Sequence, residues 1–243
     1  MKAAALRAQT RIELLLTLRR GESLLVTLAI PLGILIFFSK VDAVNTTYAD
    51  PIDFLVPGVL ALAVMSSAMV SLGIATGYER RYGVLKRLGA TPLSRAGLLA
   101  AKTANVLVFE AFQTVLIVGV GLALGWKVTG GLIAAIGLIL LGTVAFAGIG
   151  MLMAGTLRAE ANLAASNGLF LVLMFLGGMA YPLAKLPDAL ESFARLLPAA
   201  ALSETLRGVL DAHTGFRWGE LVVLVVWAIA APLAAARWFR WEE

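Results

Sequence analysis

The chain has 243 residues, of which 60% are apolar and 14% charged, with a mean hydropathy of +0.90. Soluble domains are about half apolar and a quarter charged, so these apolar residues cannot all hide inside one water-facing globule, and the chain reads as a membrane protein. One His and no Cys exclude a disulfide scaffold, a thiolate zinc site, a Cys nucleophile and a His-rich metal centre, while the net charge of +5 is a mark of topology before it is one of nucleic-acid binding.

Residues 1–22 carry Lys2, Arg7, Arg11, Arg19 and Arg20 and read as a basic interfacial helix along the inner membrane surface, not as a cleavable signal. Beyond them, uncharged stretches locate the spans. A charged side chain at the bilayer centre costs several kcal/mol, and about 20 apolar residues cross the hydrocarbon core. Seventeen uncharged residues, Pro31 among them, separate Glu22 from Lys40, and twenty-five separate Asp53 from Glu79. A third stretch follows Lys102 and ends near Trp126, interrupted by Glu110. Thirty uncharged residues run from Val128 to Leu157, twenty-four from Ala161 to Ala184 and sixteen from Leu221 to Ala236, with Trp227 and Trp238 as interfacial anchors. The expected fold is an all-α integral membrane protein, a single transmembrane domain over residues 1–243. Its six spans are placed at about 23–39, 54–78, 103–126, 132–157, 161–181 and 221–239. Runs of this length exclude the strands of a barrel.

Lys and Arg divide unevenly between alternate loops: fourteen fall on the side of the N-terminus, the 79–102 loop, Arg158 and the tail, and six on the other. Positive charge accumulates in the cytoplasm, so both termini are expected there. Two connections exceed a turn. The cytoplasmic one, 79–102, reads as a short helix broken at Gly89, with Thr91 before Pro92 suited to restart a helix. The external one, 182–220, carries Pro182, Pro187 and Pro198. In it Leu190, Phe193 and Leu197 share one helical face, and Leu202, Leu206, Val209 and Leu210 another, with Glu191 and Arg195, then Arg207 and Asp211, at i,i+4. Short amphipathic helices sitting at, or dipping into, the outer interface are expected.

No phosphate-binding loop, H-E-x-x-H or G-x-S-x-G occurs, and His213 lies in the external segment. No catalytic residue, metal site or cofactor bound by this chain is expected.

At 79–102 the residues become more specific. Glu79-Arg80-Arg81, Gly83, Leu85, Lys86-Arg87-Leu88, Ala90-Thr91-Pro92-Leu93-Ser94 and Lys102 resemble the signature loop of type-2 ABC exporter permeases, in particular the daunorubicin-resistance-like, antibiotic-transport subset. Tyr181-Pro182-Leu183, Leu186-Pro187, Leu197-Pro198 and Leu206-Arg207-Gly208 are similar to that family's proline-punctuated external part. Ala199-Ala200-Ala201 departs from it, so no ligand contact is carried over there. The resemblance implies a half-sized permease in the bacterial plasma membrane, pairing with a second permease, identical or related, to make a twelve-span exporter. Two ABC ATP-binding subunits, holding ATP and Mg, would dock beneath it. Glu79, Arg80, Arg81, Gly83, Lys86, Arg87, Leu88 and Pro92 would form the ATPase-coupling element, and the external helices the outer gate.

Each feature has a plainer reading. The basic loop could be an anchor on anionic lipid, at about 1 kcal/mol per basic residue, although that needs neither its glycines nor Thr-Pro-Leu-Ser. The pairs Gly73/Gly77 and Gly121/Gly125 read as packing within the chain before they read as a dimer seam. Met65, Met69, Met151, Met153 and Met174 read as lipid-facing or packing filler before they read as an adaptable cavity wall. Asn162 and Asn167 read first as interhelical hydrogen-bond partners. Glu110 lies about 12 Å along a helix from Lys102, deep in a half-bilayer, so it is either a structural tie, through Gln113 or the basic surface helix, or a polar point on the export path. The substrate pathway expected on this basis is Met65, Met69, Glu110, Asn167, Phe170 and Met174. The substrate expected is a small amphipathic drug or lipid-like compound, with a polysaccharide or lipid-linked glycan next. An ion-coupled carrier, which would show inverted repeats and several buried acids, and a transport-inactive scaffold, which needs no structured basic loop, are the remaining classes.

Overall fold

A computed structural model describes residues 21–40, 50–89, 95–179, 181–211 and 215–241, with no strand among them. The basic surface helix expected before Gly21, together with Thr91, Pro92 and His213, lies outside the described residues. Helix α1 is Gly21–Lys40 and contains Pro31. Helix α2, Pro51–Arg81, opens with Pro51 after an extended Asp50, where a missing N–H costs nothing. Its middle, Met65–Ser71, is π-helical, and α-helix resumes at Leu72. A turn at Tyr82 and Gly83 leads into α3, Val84–Gly89, the short glycine-flanked helix expected of the loop. Then follow α4 (Arg95–Ala123), α5 (Leu132–Thr156), α6 (Ala159–Leu176), α7 (Asp188–Ala194), α8 (Pro198–Leu210) and α9 (Trp218–Trp238).

Among the described residues, five helices are long and apolar enough to cross a membrane: Pro51–Arg81, Ala101–Ala123, Leu132–Thr156, Ala159–Leu176 and Trp218–Trp238. Two ends differ from the uncharged runs, and glycine is the reason. Helix α4 stops at Ala123, short of Trp126, because Gly125 takes φ +100. The Gly125 N–H then bonds the Leu122 carbonyl and the Trp126 N–H that of Gly121, which closes the helix end. Helix α6 stops at Leu176 before the turn at Gly177 and Gly178, and Ser203 Oγ donates to the Gly177 carbonyl at 2.5 Å.

Helix α2 is the axis of the domain, with α1, α4, α5, α6 and α8 packed around it. Leu55, Leu62, Met65 and Met69 are buried completely. Its crossing with α5 is backbone against backbone: a Cβ on Gly73 would lie 3.0 Å from the Gly150 carbonyl oxygen, and one on Gly150 2.5 Å from that of Met69. Gly77 is filled from the other side by Asn162 of α6. These glycines therefore serve packing within the chain, through the close approach that small residues permit between spans. Helix α5 packs along α9, and α8 is wedged among α2, α5 and α9. Helix α7 does lie on the surface, with Leu190 and Phe193 exposed. Helix α8 does not: every residue from Pro198 to Arg207 is buried, because its polar groups find partners inside the protein.

Candidate functional site

Three polar clusters lie along the bundle, and each joins helices far apart in sequence.

At the end carrying α3, the acidic-basic run turns inward. Lys102 Nζ of α4 contacts both oxygens of Glu79, at 2.6 and 2.7 Å. Arg80 is buried and donates to the carbonyl of Leu157, which caps the end of α5. Arg81 pairs with Glu160 in the first turn of α6. These three residues of α2 thus bind it to α4 and to the α5–α6 corner. Gly83, at φ +66, turns the chain, and Leu85 plugs α3 into the protein. Tyr82, Lys86 and Arg87 are left on the exposed side. Arg87 donates to the Tyr82 carbonyl at 3.0 Å, and Tyr82 stacks on Tyr78 with ring centroids 6.2 Å apart. The expected coupling set therefore divides into an inner group that ties helices together and an outer group that faces outward. Leu88 belongs to α3 by its backbone.

Midway along the bundle, Glu110 of α4 is buried and reaches α2 and α5 together. Ser67 Oγ lies 2.9 Å from its Oε1 and Thr143 Oγ1 2.6 Å from its Oε2. Ser67 belongs to the π-helical stretch, and its hydroxyl is also within 2.9 Å of the Ala63 carbonyl, a back-bond that loosens a helix locally. Glu110 is thus a tie between helices, and its partners are two hydroxyls that the sequence left unmarked. Gln113 is buried on the same helix. Met65 and Met69 are enclosed in the core next to this cluster. Asn167, Phe170 and Met174 lie apart on α6, Asn167 exposed and the other two half-buried. Asn167 donates to its own helix at Leu163, whereas Asn162 makes the interhelical bond, to Gly73 at 2.9 Å.

At the opposite end, Arg207 of α8 is 2% exposed. It donates to the carbonyls of Phe54 and Gly178 and to Glu204 at 2.6 Å, and its guanidinium lies 3.9 Å from the centroid of the Phe54 ring. Gly58 makes the room: a Cβ there would be 2.8 Å from Arg207 Nη2. Glu204 also accepts Arg217 at 2.9 Å, Arg217 faces Glu220, and Glu220 holds Arg195, itself paired with Glu191 at 2.7 Å. The bond to Glu191 pushes the Arg195 guanidinium above its ordinary pKa range. Arg207, Glu204 and Arg217 were missed as a site because an arginine in an external loop reads as a topology charge. The one signal was Leu206-Arg207-Gly208, which belongs to the proline-punctuated pattern.

Among the described residues no group of three or more acidic, His or Cys side chains is placed to hold a metal. The arrangement is one of helices tied across charge pairs, suited to move as connected bodies. The model of the ABC-2 type transporter family matches residues 4–210. The chain belongs to that family. A relative in Bacillus subtilis (strain 168), named "Putative transport permease YvfS", is 26% identical over 205 residues, covering 80% of each chain. Membership of the ABC-2 type transporter family makes this chain a transport permease subunit and not a catalytic one, and implies partnership with ATP-binding subunits in an ABC transporter.

Proposed function

We propose that this ABC-2 subunit exports a small amphipathic compound from the cytoplasm of a bacterial cell by alternating access. Two separate ATPase subunits that bind ATP and Mg energise it, and a second permease, identical or related, completes the pore. Both termini are cytoplasmic, α1 is the first of six spans, and a basic helix precedes it along the inner surface. ATP binding draws the ATPases together and displaces α3. The ties Glu79–Lys102, Arg80–Leu157 and Arg81–Glu160 pass that displacement to α4, α5 and α6, and the π-helical stretch of α2 absorbs the change in its direction. Helices α7 and α8 close the outer side.

What carries the reading is the division at the α2–α3 corner. Three charged residues secure the corner to three other helices, while Lys86 and Arg87 project outward from a short helix. A lipid anchor needs exposed charge but no such bracing. The described external residues form only short helices, which suits a small substrate better than a polymer. The test is Lys86→Glu with Arg87→Glu. Export should be lost, with ATP hydrolysis no longer tied to it and membrane insertion unchanged. Normal export with the ATPase still co-purifying would reduce α3 to a lipid anchor.

A further inference from the structure

We propose that the cleft between α4, α5 and α9 seats one acyl chain of a resident anionic phospholipid, at the end of the bundle that carries α3. The cleft encloses about 440 Å³, within the range of ligand sites. Val144, Ala147 and Met151 of α5 form one wall, and Pro232 and Ala236 of α9 face them. It exists because α9 touches α5 closely at Gly148, where a Cβ would lie 2.5 Å from the Pro232 nitrogen, and then presents only alanines. Its far end is closed by Phe239, which lies over Gly155 where the Arg240 N–H bonds the Gly155 carbonyl at 3.1 Å. Trp241 packs against Phe239 edge to face, with centroids 5.0 Å apart.

Two properties select the occupant. The lining is apolar except for Thr103 and Lys102, and the Lys102 charge is already met by Glu79 at 2.6 Å, so the interior offers no site for a free ion. Val144 and Ala236 are exposed, so the cleft opens sideways on the flank of a membrane-spanning bundle, where hydrocarbon and not water is the neighbour. An apolar cleft of this size gains nothing from water and fits an alkyl chain. Beside its closed end, Arg237 and Arg240 are exposed around Trp238, the interfacial combination that attracts a phosphate headgroup. On the topology proposed above this is the inner leaflet, but lipid retention does not depend on that assignment or on transport.

The full chain, purified in mild detergent from membranes of known lipid content, is analysed by native mass spectrometry and by extraction of bound phospholipid. Wild type should retain a phospholipid enriched in anionic headgroups over the membrane average. Ala236→Phe, which fills the cleft from its exposed wall, should lose it while eluting as wild type does. Should that variant not assemble, Val144→Phe on the opposite wall reads the same loss. Arg237→Gln with Arg240→Gln should keep a bound lipid but erase the anionic enrichment. Wild type without bound lipid, or equal retention in the filled variants, would overturn the proposal. So would release of the lipid on ATP turnover, which would make it cargo.

Discussion

Replacing Arg207 by Met is a severe single change outside the helix crossings. Methionine keeps most of the volume but removes the charge. It leaves Glu204 buried beside an apolar side chain and the carbonyls of Phe54 and Gly178 without their donor. Breaking a buried pair from one side costs about 3–5 kcal/mol. Glu204 keeps Arg217 at 2.9 Å, but Arg217 is 36% exposed, so that contact returns about 1 kcal/mol. The net loss is about 3 kcal/mol, or about 10 °C in melting temperature for a chain of this size. Because unfolding from detergent is irreversible, wild type and variant are compared at one heating rate by the fraction surviving size exclusion. Adding Glu204→Gln removes the orphaned charge and should restore more than half of the difference, since Arg217 then turns to Glu220. Melting within about 2 °C of wild type for Arg207→Met, or a double variant worse than the single, would show that the pair is not buried as described.

Further outcomes follow from the other clusters. Gly150→Ala should destabilise the chain by about 1–3 kcal/mol, because its Cβ meets the Met69 carbonyl, whereas Gly168→Ala, with open space around it, should be neutral; both are read by melting. Glu160→Lys should leave stability within about 1 kcal/mol of wild type but raise ATP hydrolysed per substrate exported, and Arg81→Glu added to it should restore the ratio. Glu110→Gln keeps shape and hydrogen-bonding capacity and removes charge. Loss of export for cationic but not neutral compounds, with normal assembly, would place Glu110 on the path, and unchanged export of both would leave it a tie between helices.

The helices were legible because the membrane imposes one rule, length without charge, and the sequence obeys it from Asp53 onward except at Glu110. Their ends were less so. Trp126 and Tyr181 lie beyond the ends of α4 and α6 although the residues leading up to them are uncharged, because Gly125 and Gly178 take left-handed conformations that hydropathy does not register. The burial of helix α8 was not legible for a related reason. Leu202, Leu206, Val209 and Leu210 make it amphipathic, and amphipathicity ordinarily means a polar face in water. Here Ser203, Glu204, Thr205 and Arg207 face protein, and Ser203, Glu204 and Arg207 bond to other elements as well as to α8 itself. Helical period gives the existence of two faces, not the medium each one meets.

The same distinction governs the coupling run. Read as a string, Glu79, Arg80, Arg81, Lys86 and Arg87 form a single basic patch, and charge alone assigns every member to the outside. Helical geometry separates them: Glu79, Arg80 and Arg81 belong to the last turn of α2, where the ends of α4, α5 and α6 converge, while Lys86 and Arg87 follow a turn that takes them away from that convergence. The partners of the inner three are Lys102 of α4, a backbone carbonyl and an isolated Glu160, and of these only Lys102 belongs to the loop pattern. A ligand can be inferred from a pattern when its residues are close in sequence, whereas a brace between helices is made of single residues 23 to 79 positions apart and becomes visible only when the helices are placed. Glu110 obeys the same logic, since a lone acid within a span announces that something must satisfy it, while the hydroxyls of Ser67 and Thr143 are too common in spans to be singled out.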